Sequence, residues 1–151
     1  IYFTTFNGSS IMSNKNLLYL SSPFSHSSPI IKVKRYESML DIMAFLLDSN
    51  LMVVSPLMLN VPLTGRLNRK GTDWQDWREY DLFLLSRSDE LWILTLEGWE
   101  ESKGVRAEIK YALRHKIPIT LINTERSFAH FTYDQQILEL LNVTDGEDLN
   151  D

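Results

Sequence analysis

The chain has 151 residues, enough for one domain with a sizeable core. Hydrophobic residues make up 44% and charged residues 23%, a globular balance that excludes a largely disordered chain. Lys and Arg number 15 against 20 Asp and Glu, and the resulting charge of −5 argues against broad binding to nucleic-acid phosphates.

The absence of cysteine removes disulfides, thiolate zinc sites, iron–sulfur clusters and Cys nucleophiles. No apolar run approaches the roughly 18 residues of a membrane span. The longest, Leu51 to Leu59, is cut by Ser55-Pro56. Ile1 to Asn16 is polar and lacks the basic-then-apolar order of a signal peptide, so a soluble, cytoplasmic protein is expected. Met12-Ser13-Asn14-Lys15 reads like a natural start. Residues 1–16 are therefore read as an N-terminal extension or vector-derived residues, and 1–11 are left outside the fold.

Leu17-Leu18-Tyr19-Leu20 is a short apolar run stopped by Ser21-Ser22-Pro23, as a buried strand would be. After a Ser/His/Pro-rich loop, apolar residues recur at helical spacing from Ile31 to Asp48. Leu51 to Val54 is a second strand. Leu57 to Thr72, with two prolines, two glycines and the basic Arg66, Arg69 and Lys70, reads as a long loop of the kind that often serves as a lid. Asp73 to Ser88 is a helix, and Leu91 to Leu96 a third strand, apolar on both faces as central parallel strands are. Glu97 to Glu101 is a turn, Ser102 caps a helix running to about His115, and Ile117 to Ile122 is a fourth strand. Tyr133 to Leu141 is a last helix, before a frayed acidic tail at 145–151.

Strand–helix alternation with all-apolar strands predicts an α/β domain over 17–144: a flavodoxin-like or Rossmann-like three-layer sandwich on a mostly parallel sheet of four to five strands. In such sheets ligands bind beyond the carboxyl ends of the strands. Attention therefore falls on Ser21 to His26, Ser55 to Thr72 and Glu97 to Glu108.

Ser102-Lys103-Gly104-Val105-Arg106-Ala107-Glu108 opens a helix just after a central strand. Ser102 and Gly104 offer a hydroxyl and approachable backbone N–H groups at a positive helix end, a natural anion site. Val105, Ile109, Ala112 and Leu113 form the buried face, and Glu108 lies one step off it, half buried. A surface Glu is the plainer reading, but a Gly in the first turn costs about 1 kcal/mol against Ala and needs a reason. Asp81, beside Tyr80, is either a surface charge paired with Arg78 or Arg87, or a second site carboxylate. Tyr19, Ser21, Ser22, Ser25 and His26 cluster at the end of the first strand. Trp92 reads as core, while Trp74, Trp77 and Trp99 flank the site, as packing residues or as a stacking surface for a nucleobase. His26, His115 and His130 show no metal-ligand spacing, so neither metal nor other cofactor is expected. No GxxxxGK, GxGxxG or GxSxG motif occurs.

Tyr19-Leu20-Ser21-Ser22-Pro23-Phe24-Ser25-His26, then Tyr80-Asp81-Leu82, then Gly98-Trp99 with Ser102 to Ile109, resemble the nucleoside 2-deoxyribosyltransferase superfamily. Within it the chain is most similar to an uncharacterised bacterial and phage branch, a domain of unknown function, with the patterns Y-L-x-x-P-[FY]-S-H and G-W-x-x-S-x-G-V-x-x-E, related to deoxynucleoside 5′-monophosphate N-glycosidases. The resemblance covers Leu17 to Ile122. It implies that Glu108 is a nucleophile attacking C1′ of a deoxyribosyl group, that Asp81 protonates or hydrogen-bonds the leaving base, and that Tyr19 orients Glu108. It further implies substrate contacts from Ser22 (where the family often has Gly), Phe24, Ser25, His26, Trp99, Ser102 and Gly104. Relatives that act on free nucleosides tend to carry Asp six residues before the nucleophile; those that hydrolyse 5′-monophosphates carry Ser, as here in Ser102. A nucleotide substrate follows, with Arg66, Arg69 or Lys70 as further phosphate contacts. The resemblance also implies a homo-oligomer, dimer or tetramer, in which a neighbouring subunit lends a residue such as Ser127 or Tyr133. The expected partner is a small nucleotide or nucleoside, with neither a membrane nor extended nucleic acid.

The leading expectation is hydrolysis or transfer at the N-glycosidic bond of a 2′-deoxynucleotide. The alternative is a non-catalytic nucleotide-binding or sensing module on the same fold.

Overall fold

The computed structural model describes residues 4–5, 16–68 and 74–131. The strands are β1 (Thr4–Thr5), β2 (Leu17–Ser21), β3 (Met52–Val54), β4 (Glu90–Leu94), β5 (Ile119–Ile122) and β6 (Ser127–Phe131). The helices are α1 (Pro29–Asp48), α2 (Pro56–Leu63), α3 (Trp74–Ser86) and α4 (Lys103–Arg114). One sheet takes the order β1-β6-β5-β4-β2-β3. β3, β2, β4 and β5 are parallel, while β6 and the two-residue β1 pair antiparallel at one edge. The chain is thus an α/β protein with a mostly parallel sheet.

The pleat divides the strand residues between two cores, because successive side chains point to opposite faces. Tyr19, Leu91, Ile93, Ile119 and Leu121 join Leu85 of α3 and Val105, Ile109 and Ala112 of α4. Leu18, Leu20, Trp92, Leu94 and Ile122 join Met39, Ile42, Met43 and Leu46 of α1. This double burial is why the central strands read as continuous apolar runs.

Three sequence expectations are corrected. The segment from Leu57 is a loop only in part, for its first half is α2. Pro56 sits at the helix start, where a missing N–H costs nothing, and Pro62 falls near the end. A strand that periodicity did not single out, β6, follows a tight turn in which the Asn123 side chain accepts from the N–H groups of Glu125 and Ser127. Thr4 and Thr5, left outside the fold on sequence grounds, pair with Phe128 and Ser127 of that strand. The expected helix at Tyr133 to Leu141 and the acidic tail lie outside the described residues.

From β2 the chain moves outward to β3, then crosses back to place β4 on the other side of β2. The carboxyl ends of β2 and β4 therefore flank a topological switch point, where open α/β sheets form a crevice. No helix among the described residues is long and apolar enough to cross a membrane.

Ile93 is fully buried between β2 and β5. Ile93→Ala is expected to lower unfolding free energy by about 2–5 kcal/mol, measured by denaturant titration.

Candidate active site

Tyr19 and Ser21 stand two residues apart on β2, so both side chains leave the same face of the sheet, toward α4. Glu108 comes from the second turn of α4 and meets them there. The Tyr19 hydroxyl donates to Glu108 Oε1 at 2.6 Å, and the Ser21 hydroxyl donates to Oε2. Glu108 is only 4% exposed, rather than half buried as its helical position suggests. α4 starts where expected: the Ser102 side chain caps it by accepting from the Val105 N–H at 3.4 Å.

The second carboxylate, Asp81 of α3, is also 4% exposed. Neither Arg78 nor Arg87 pairs with it. The Asn60 amide of α2 does, with Nδ2 donating to Oδ1 at 3.1 Å and to Oδ2 at 3.3 Å.

Both carboxylates line one cleft, of about 630 Å³ with its open mouth included. Ser22, Phe24 and Ser25 line it from the loop after β2, and Ser102, Gly104 and Val105 from the start of α4. Pro56, Leu57, Asn60, Val61 and Thr64 contribute the α2 side, with Trp74 and Trp77 from α3. Gly104 has a packing reason beyond anion access, because a Cβ there would stand 3.3 Å from the Trp74 ring.

Burial dominates the electrostatics. It raises Asp81 to about 6, against the lowering effect of the Asn60 hydrogen bonds. It raises Glu108 to about 8; the Ser21 and Tyr19 hydrogen bonds pull that value down and the Asp81 charge adds to the rise. Tyr19 is pushed up by its own burial and then by the charges of Glu108 and Asp81, so it remains a neutral donor. Interacting carboxyls titrate as a pair, and between about pH 6 and 8 this pair holds one proton.

Other expected site residues fall elsewhere. Trp99 is corrected from substrate contact to core: it is 8% exposed and packs with Tyr19, Val105 and Ile109. His26 is absent from the cleft walls; its Nδ1 accepts from the Ser28 N–H at 2.9 Å, and the ring borders an adjoining open cleft. That second cleft shares Ser25, Trp74, Ser102 and Gly104 with the first and is also lined by Lys34, Arg35 and Lys103. Arg35 ties the two loops of its rim together, donating to Ser25 O at 2.7 Å and to Glu97 O at 2.8 Å. Arg66 is exposed and lines neither cleft, while Arg69, Lys70 and Tyr133 lie outside the described residues. Ser127 is in β6. Among the described residues no three His, Cys, Asp or Glu side chains are grouped to hold a metal ion.

The sequence places Ser21 in the cluster at the end of the first strand without a role, and does not single out Asn60 within Ser55 to Thr72. Ser21 was within reach of the pattern, since it shares the strand face of Tyr19. For Asn60 the only signal was Ser55-Pro56, a helix-start pair hidden in a segment rich in loop formers.

The fold and site define an α/β domain with two buried carboxyl groups facing one cleft at the sheet's switch point. Residues 16–124 match the family described as Domain of unknown function (DUF1937), and the chain belongs to that family. No curated protein matches the chain.

Because Glu108 holds its proton more tightly folded than unfolded, its contribution to stability is complete below about pH 4.5 and is lost as pH rises through about 8. Glu108→Gln removes that loss. The variant is expected to gain about 2–4 kcal/mol over the parent at pH 8.5 and little at pH 4.5, by denaturant titration at both values.

Proposed function

We propose that the protein cleaves the N-glycosidic bond of a 2′-deoxynucleotide by way of a covalent glycosyl–Glu108 intermediate, as a member of the nucleoside 2-deoxyribosyltransferase superfamily. On this reading the fold is the superfamily's flavodoxin-like three-layer sandwich. The observation that carries it is the pair of buried carboxyls on one cleft, one with each oxygen held by a hydroxyl donor and the other with an amide at its back.

The roles follow from these partners. Tyr19 and Ser21 stabilise an ionised Glu108 and aim its oxygens, as a nucleophile requires. Asp81 has the near-neutral value of a general acid. A Glu108 oxygen forms an ester bond to C1′ as the C1′–N bond breaks, its electron pair leaving with the base. The Asp81 proton goes to the base. Water, or a second base, then attacks C1′, restores the Glu108 carboxylate and returns a proton to Asp81, as in retaining glycosidases. A 5′-phosphate would sit at Ser102 and Gly104, where the positive end of α4 meets the cleft lined by Arg35 and Lys103. The adjoining subunit of a homo-oligomer would complete the site.

The proton is the critical detail. Of the two, Glu108 is the stronger proton holder, whereas the reaction needs the proton on Asp81. Total occupancy is the same in both arrangements, one proton per pair, and a base acceptor set against Asp81 favours the transfer. A second reading, a non-catalytic nucleotide-binding module, draws support from the same observation, since a protonated Glu108 is no nucleophile.

Incubation with each deoxynucleoside 5′-monophosphate and each free deoxynucleoside, followed by chromatography for released base, tests the reading. Base release from a monophosphate is expected, with Glu108→Ala lowering kcat at least about 1,000-fold while nucleotide binding persists. Nucleotide binding without release would favour the binding module. The profile of kcat/KM against pH is expected to be bell-shaped, falling below about 6 and above about 8.

A further inference from the structure

Asn60 has a role beyond steadying Asp81. It is 5% exposed, lines the cleft, and commits its amino group to the Asp81 carboxylate. That commitment fixes the orientation of the amide, because an amide carbonyl turned toward an ionised carboxylate would set acceptor against acceptor. The carbonyl oxygen, Oδ1, is left buried with no hydrogen-bond partner. Buried acceptors are nearly always satisfied, so an orphan on a cleft-lining residue calls for a donor from whatever fills the cleft. One Nδ2 group serves both Asp81 oxygens, at 3.1 and 3.3 Å, so a small rotation can keep the shorter bond and bring Oδ1 to the cleft wall. A second orphan, Ser22 Oγ, belongs to the same lining.

The geometry points to Asn60 as the residue that selects the leaving base, with Oδ1 accepting an N–H adjacent to the base atom that Asp81 protonates. This inference rests on the base-release reading above. Asp81 in its protonated state donates O–H to a base acceptor, while its other oxygen keeps the Asn60 amino group. Asp81 and Asn60 together then present a donor beside an acceptor. Their complement is a base edge with an acceptor beside an N–H. With Asp81 addressing the pyrimidine O2 or the purine N7, uracil and thymine offer it as O2 and N3–H, and adenine as N7 and the 6-amino group. Cytosine at O2 and N3, and guanine at N7 and O6, present two acceptors, one of which would oppose the Asn60 carbonyl. Sites built to pair a buried polar group discriminate strongly against a mismatched analogue, because the mismatch leaves that group unpaired.

The test compares base release within two pairs of 5′-monophosphates, deoxyuridine against deoxycytidine and deoxyadenosine against deoxyguanosine. In any pair that is turned over, kcat/KM is expected to favour the first member by about 10-fold or more. In Asn60→Ala the ratio is expected to fall toward one, with kcat lowered for both members as Asp81 loses its support. Equal or reversed rates within a pair in the parent protein overturn the proposal, as does an Asn60→Ala variant that keeps the parent's ratio. General loosening of the site would slow both members without moving the ratio. Should Asn60→Ala fail to fold, the near-isosteric Asn60→Leu replaces it, and the parent's own ratio still decides. Absence of release from these four and from thymidine 5′-monophosphate overturns the base-release reading itself, and this inference with it, an outcome distinct from release without preference.

Discussion

A carboxylate tolerates burial only if both oxygens keep hydrogen bonds, and much of the site follows from how Glu108 meets that condition with no cation beside it among the described residues. Its donors are hydroxyls, which satisfy the oxygens without neutralising the charge. Burial therefore still dominates, and the group is raised to about 8. Lysine or arginine in place of Tyr19 or Ser21 would pair with the carboxylate and hold it ionised throughout the physiological range. Two hydroxyls leave it able to exchange a proton.

The sheet makes this arrangement possible. Tyr19 and Ser21 occupy alternate positions on a strand whose intervening residue, Leu20, points into the opposite core. The strand thus contributes polar groups to one face at its carboxyl end without exposing the other face. α4 begins after β4 and returns along the same side, so its second turn arrives above those hydroxyls. α2 and α3 bring the second carboxyl and its amide from across the switch point. Site chemistry and sheet topology are one construction, because the reversal of strand order is what opens the crevice between them.

Trp99 and Asn60 mark the limits of pattern reading. Trp99 stands in a motif beside the site, yet it packs into the core, since the 3₁₀ turn at Trp99–Glu101 rotates its ring inward. Nothing in the order of residues reports that rotation. Asn60 sits between Pro56 and Pro62, in a segment whose prolines and glycines read as loop. Its place in a helix follows from Pro56 at a helix start and from the packing of that short helix near α3, a tertiary effect that overrides local propensity. Glu108 was legible as a site residue, but its depth was not. A one-step offset from a helix's apolar stripe becomes full burial only when β2 supplies partners from 87 and 89 positions away.

The amino-acid sequence by itself determined the four parallel strands, the amphipathic helices α1, α3 and α4, and the cap at Ser102. These depend on interactions within a few residues: the period of the apolar side chains, a serine before a helix, a proline or glycine at a boundary. Only the tertiary structure decided that Glu108 is buried, that Asn60 rather than an arginine attends Asp81, that α2 is a helix and that β6 completes the sheet. Each of these rests on contacts between segments distant in the chain, and the energies that settle them, desolvation above all, exist only once those segments have met.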